Sequence, residues 1–166
     1  FRQPFHPKQT VAITGTNGKT STTWYLAQIC KLNKLPTKLT GTLGYYNNLK
    51  KIRDSYLTTP SKLDLYQFFY SNKKNNNICI SEASSHGIHQ GRFENLKVDI
   101  AAITNLSHDH LDYHKSFSSY VESKISLFTK ILSKKGIAIL NYRLKKYNKL
   151  EKKLKSINIK ILTFGA

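Results

Sequence analysis

Short apolar runs alternate along this chain with longer segments whose apolar residues recur at helical spacing. Val11–Thr14, Ile78–Glu82, Val98–Thr104, Ile137–Leu140 and Ile159–Phe164 predict strands, with a weaker one near Lys38–Thr40. Lys19–Leu32, Ser61–Tyr70, Ser116–Leu132 and Tyr142–Lys155 predict helices. This alternation is the signature of an α/β domain, a mostly parallel sheet flanked by helices. Gly41–Thr59 carries turn residues and no helical period, so an extended excursion or hairpin is expected there. The Asn/Lys run at 72–77 reads as a loop joining a helix to a strand, and neither a repeat nor an inter-domain linker interrupts the pattern.

Composition narrows the class. A chain of 166 residues with 39% hydrophobic content can bury an ordinary core without disulfides. Cys30 and Cys79 lack metal-ligand spacing and read as core thiols of a reduced, cytoplasmic protein. No apolar run approaches the ~18 residues of a membrane span, so no membrane partner is expected. The lack of Met and the start in a polar stretch suggest a piece of a longer polypeptide.

A net charge of +18 raises the question of nucleic acid. The cations, however, are 23 Lys and only 4 Arg, dispersed among 13 Asn. Arg is the residue that reads bases and phosphates bidentately. The distribution therefore fits solvated faces better than a nucleic-acid surface, and it is compatible with attraction of an anionic substrate.

Thr14-Gly15-Thr16-Asn17-Gly18-Lys19-Thr20 follows a predicted strand and opens a predicted helix. In that setting glycines admit backbone N–H groups to phosphate oxygens, Lys19 reaches the β and γ oxygens, and Thr20 can serve Mg²⁺. Ile13 stands where the usual Walker pattern has its first glycine, so only the Gly15-x-x-Gly18-Lys19-Thr20 core is present.

Five of six His and five of nine acids lie between Glu82 and His114. Glu82 ends its strand in phase with Ile78 and Ile80 and should emerge at the carboxyl edge of the sheet, where open α/β folds bind ligands. A carboxylate there needs a partner, either a Mg²⁺ beside the phosphate loop or a loop amide. Spacing alone does not choose among His108, His110 and His114. Lys124 falls within the apolar stripe of Phe117, Tyr120, Val121, Phe128, Ile131 and Leu132. A lysine on that face must snorkel, pair with an acid or be chemically altered.

These blocks resemble the central ATP-binding domain of the Mur ligases. Leu57-Thr58-Thr59-Pro60, Glu82-Ala83-Ser84-Ser85-His86-Gly87-Ile88 with Gln90 and Arg92, and Thr104 to His114 are most similar to the tripeptide-synthetase (MurE) type. The resemblance runs from about Thr10 to Phe128. It implies that residues 1–166 are part of a central domain whose N-terminal UDP-binding and C-terminal amino-acid-binding domains are absent from this chain. It further implies that residues 14–20 hold ATP, with Lys19 on its phosphates, and that Thr20 and Glu82 serve one Mg²⁺. His110 would serve a second Mg²⁺, and Lys124 would become a carbamate. Thr58, Thr59, Ser84, Gln90 and Arg92 would hold UDP-N-acetylmuramoyl-dipeptide, to which an amino acid is joined by a monomeric enzyme. Leu57 and His108 depart from the polar residue and the Arg that relatives often carry there. The rival readings are a folylpolyglutamate or cyanophycin synthetase, a basic nucleic-acid-binding module, and a ligase-like pseudoenzyme.

Overall fold

The computed structural model describes residues 7–71, 77–107, 111–144 and 146–165. Its strands are β1 (Gln9–Thr14), β2 (Thr37–Gly41), β3 (Gly44–Asn47), β4 (Lys50–Arg53), β5 (Ile78–Glu82), β6 (Val98–Ile103), β7 (Leu132–Asn141) and β8 (Lys160–Phe164). Its helices are α1 (Lys19–Leu32), α2 (Lys62–Tyr70), α3 (Ser85–His89), α4 (Leu111–His114), α5 (Phe117–Ser126) and α6 (Tyr147–Ser156). The strands form one sheet in the order β4-β3-β2-β5-β1-β6-β7-β8. Every pairing from β2 to β8 is parallel, and β3 and β4 form an antiparallel extension beyond β2. The stretch expected to be an excursion or hairpin is this extension.

Strand alternation sorts the core into two layers. Ala12, Cys79, Ala101, Ile103, Ala138 and Leu140 face α2, α3, α5 and α6. Val11, Ile13, Leu39, Ile78 and Ile80 face α1 through Ala27 and Cys30. Both cysteines are buried free thiols, and burial pushes Cys79 up to about 12. Serine side chains start three of the helices. Ser61, Ser84 and Ser116 accept hydrogen bonds from the backbone N–H of Asp64, Gly87 and Ser119, which fixes where α2, α3 and α5 begin.

Two predicted boundaries require correction. The helix expected over Ser116–Leu132 ends as α helix at Ser126 and continues as a π turn over Leu127–Ile131. Leu132 then opens β7, paired with Val98. The apolar spacing of Ile131 and Leu132 fits helix and strand alike, and sheet pairing decides between them. The last helix starts at Tyr147, not Tyr142, because Asn141 accepts from the Arg143 N–H and holds a turn after β7. The short α3 and α4 were not predicted; each is too brief to show a period.

β1 lies between β5 and β6 in the sheet. The loop after β1, the end of β5 and the segment after β6 therefore meet at one carboxyl edge, the place where a parallel sheet presents its ligand site.

A candidate nucleotide and acceptor site

The turn from β1 into α1 is built from Gly15 and Gly18, both with positive φ, at +143° and +80°. A Cβ on Gly15 would stand 1.8 Å from Thr104 Oγ1, so the loop can lie against the segment after β6 only if residue 15 is glycine. That segment clamps the loop. Thr104 Oγ1 donates to the Asn17 carbonyl (2.6 Å), Asn17 N–H donates to Asn105 Oδ1 (3.0 Å), and Thr16 N–H donates to the Asn105 carbonyl (3.2 Å). The first turn of α1 lies immediately behind it and contributes the positive end of the helix dipole.

Two lysines converge on the loop. Lys19 Nζ donates to the carbonyls of Gly15 (2.9 Å) and Thr16 (2.8 Å). Lys124 Nζ, on a residue only 1% exposed, also donates to the Gly15 carbonyl (2.9 Å). Lys124 thus does not snorkel: it points inward, and its ammonium lies 4.6 Å from the centre of the Tyr120 ring. Tyr120 sits one helical turn earlier and is fully buried, and its hydroxyl meets Thr16 Oγ1 at 2.9 Å. Helix α5 therefore grips the phosphate loop twice.

On the other side of the loop, Thr20 Oγ1 donates to Glu82 Oε2 at 2.8 Å. Glu82 is 1% exposed, and its Oε1 accepts the Thr42 N–H at 2.8 Å. Of the two anticipated partners, the loop amide is the one that holds the carboxylate, and the Thr20 hydroxyl lies beside it. Gly41 makes this fit possible, since a Cβ there would stand 2.1 Å from Glu82 Oε1. Carboxylate and hydroxyl oxygens at this spacing suit a hard cation such as Mg²⁺. Among the described residues no cluster of three or more His, Cys, Asp or Glu forms a metal site. A cation at Glu82 would accordingly draw on hydroxyl oxygens as well.

Four of the five residues expected to hold an acceptor substrate, Thr59, Ser84, Gln90 and Arg92, are hydrogen-bonded to one another beside Glu82. Thr59 Oγ1 donates to the Glu82 carbonyl (2.8 Å), meets Ser84 Oγ (3.0 Å) and accepts the Ser84 N–H (2.8 Å). The Arg92 guanidinium donates to the Thr59 carbonyl and, through Nε, to Gln90 Oε1 at 3.1 Å. Thr58 Oγ1 lies 3.3 Å from Thr42 Oγ1. A Cβ on Gly87 would stand 2.6 Å from Thr59, so α3 can approach only through glycine. His114 is buried in a ring cluster with His86 (5.5 Å), His89 (5.7 Å) and Tyr120 (5.5 Å). His108 and His110 lie outside the described residues, and with them the expected second metal ligand.

Sequence reasoning missed Thr42, Thr104, Asn105 and Tyr120 as parts of this site. Tyr120 had a signal, its position four residues before Lys124. Thr42 had none, because 40 residues separate it from Glu82.

A Gly-x-x-Gly-Lys-Thr turn at the carboxyl edge, with a buried acid beside it and a polar cluster alongside, is the arrangement of a P-loop-type α/β domain. Residues 13–166 match the family model "Mur ligase middle domain", and the chain belongs to that family. It is 39% identical over 167 residues to the UDP-N-acetylmuramoyl-L-alanyl-D-glutamate--2,6-diaminopimelate ligase of Rickettsia bellii, covering 98% of this chain and 35% of the relative. It is 37% identical over 145 residues to UDP-N-acetylmuramyl-tripeptide synthetase 2 of Oceanobacillus iheyensis, covering 85% of this chain and 30% of that one. A solved structure of a UDP-N-acetylmuramoyl-L-alanyl-D-glutamate--2,6-diaminopimelate ligase superposes with a TM-score of 0.79 at 32% identity, covering 95% of this chain and 32% of that chain. The chain thus spans about a third of the length of the relatives it matches. Among the described residues no helix is long and apolar enough to cross a membrane.

Proposed function

We propose that this chain is part of the central ATP-binding domain of a ligase that adds the third amino acid to UDP-N-acetylmuramoyl-L-alanyl-D-glutamate in peptidoglycan precursor synthesis. Domains that anchor the uridine and the incoming amino acid would lie elsewhere in the polypeptide. In the reaction, a carboxylate oxygen of the D-glutamyl residue attacks the γ-phosphorus of ATP, giving an acyl phosphate and ADP. The amine of the amino acid then attacks the acyl carbon, phosphate leaves with the C–O bond electrons, and the amine sheds a proton.

One observation carries the reading. Glu82 meets the phosphate loop through its carboxylate, at Thr20, and the acceptor cluster through its backbone carbonyl, at Thr59. The donor and acceptor positions proposed for the two substrates would therefore lie against one buried residue, which supports the proximity that transfer between bound substrates needs. Lys19 brings a positive charge to the loop, where it offsets the repulsion between an anionic nucleophile and a phosphate chain. Thr20 and Glu82 would hold one Mg²⁺, and His110 and Lys124 would help to hold a second, where the metal would supply further charge neutralisation. Lys124 would serve there as a carbamate. Its Nζ retains one hydrogen in that form, enough to keep the bond to Gly15. Thr58, Thr59, Ser84, Gln90 and Arg92 orient the acceptor.

The names of the relatives make diaminopimelate the amine to assay first. The test is Lys19→Ala in the full-length enzyme, followed by ATP-dependent ligation. Activity should fall below about a tenth of wild type, a loss of at least ~1.4 kcal/mol in transition-state stabilisation. Greater retention overturns the assignment.

A further inference from the structure

Thr42 lies between the two halves of this site, and neither the family resemblance nor the comparisons assign it a role. Its backbone N–H is fixed on Glu82 Oε1 at 2.8 Å. Its hydroxyl oxygen is 3.3 Å from Glu82 Oε2 on one side and 3.3 Å from Thr58 Oγ1 on the other. A threonine hydroxyl has one proton, so Thr42 donates to only one of these oxygens at a time. Glu82 Oε2 already accepts from Thr20. A cation drawing on that oxygen would compete for its lone pairs, and the Thr42 proton would then turn to Thr58.

We infer that Thr42 is a positioning residue that couples occupation of the Glu82 site by Mg²⁺-nucleotide to the acceptor-binding threonine Thr58. The inference rests on the proposed roles of Glu82 and Thr58. With Glu82 unladen, the Thr42 hydroxyl is divided between two acceptors and Thr58 keeps its own orientation. With Mg²⁺-nucleotide bound, Thr42 donates to Thr58, and the Thr58 hydroxyl presents its own proton outward to an anionic acceptor. Binding at either site then favours binding at the other by the same factor. Thr42 is exposed, at the mouth of the site, so its hydroxyl can be removed without opening the core.

The test is equilibrium binding of UDP-N-acetylmuramoyl-L-alanyl-D-glutamate to the full-length protein by calorimetry, with and without Mg²⁺ and a non-hydrolysable ATP analogue. Wild type should bind the acceptor about fivefold or more tightly in the presence of the Mg²⁺-analogue, the lower end of typical coupling between sites. Thr42→Val keeps the shape and the N–H but lacks the hydroxyl, and should bring that ratio close to one while still binding each ligand. Thr42→Ser should restore it. A Thr42→Val protein that keeps the wild-type ratio, or a wild type that binds both ligands without coupling, overturns the inference and leaves the proposed function standing. A wild type that fails to bind the UDP-dipeptide at all overturns the proposed function, and the inference falls with it.

Discussion

Replacing Gly41 with Ala isolates the packing that holds Glu82. The backbone of Gly41 does not lie in the left-handed region, so the substitution adds a methyl group with no demand on φ. That methyl would stand 2.1 Å from Glu82 Oε1, 2.7 Å from its carboxyl carbon and 2.8 Å from Cγ, so the whole side chain must move. Movement breaks the bonds from Thr42 N–H and Thr20 Oγ1, both 2.8 Å long and both donated to a buried carboxylate. Hydrogen bonds to charged groups contribute about 1.5–3 kcal/mol each, so losing both should cost roughly 3 kcal/mol or more. Trp24, the sole tryptophan, lies in α1 against the Tyr46 ring at 5.1 Å and reports unfolding of this region by fluorescence. With a urea m value of about 1–3 kcal/mol/M, a loss of that size moves the midpoint down by about 1–3 M. The cause is tested by a cycle with Glu82→Asp, which withdraws the carboxylate from position 41. Contact predicts a coupling of about 0.5–3 kcal/mol, with Gly41→Ala costing less in the Glu82→Asp background. A midpoint shift under about 0.3 M, or strict additivity in the cycle, refutes the argument.

Other outcomes follow from the same geometry. Lys38 is buried, its Nζ donates to the Phe68 carbonyl and Ser71 Oγ, and burial holds its ammonium below the usual lysine range while Cys79 opposes that shift. Between the lowered folded value and the ordinary ~10.4, the unfolded chain binds the extra proton, so this residue makes stability rise with pH. Lys38→Met should therefore gain most relative to wild type near neutral pH and lose that advantage toward pH 10; a difference in urea midpoint that stays flat across the range contradicts it. In the full-length enzyme, Lys124→Ala should reduce ligation by about 100-fold, or ~2.7 kcal/mol of barrier, with partial recovery in acetate. Near-normal rates for Lys124→Arg, which keeps charge and a donor toward Gly15, would exclude the carbamate.

Much of the architecture was legible in the chain. β1, β5, β6 and α1 carry strong local signals, because parallel strands covered on both faces require compact apolar runs and a strand followed by Gly-x-x-Gly-Lys-Thr has few other uses. The phase of Glu82 with Ile78 and Ile80 placed its carboxylate at the right edge, and the apolar stripe of α5 marked Lys124 as inward-facing. What the chain could not reveal is what each of these groups touches. That Lys124 reaches the Gly15 carbonyl depends on the order in which β1 and β6 lie side by side, a contact across 109 residues. That Thr42 joins Glu82 to Thr58 depends on β2 lying beside β5 in parallel register, with Thr40 opposite Ser81, so that the residue just past β2 and the last residue of β5 arrive at the same edge. Local periodicity records which face a side chain takes within its own element. Sheet order and register are set by packing over the whole domain, and only they decide which distant hydroxyl, carboxylate and ammonium groups share a site.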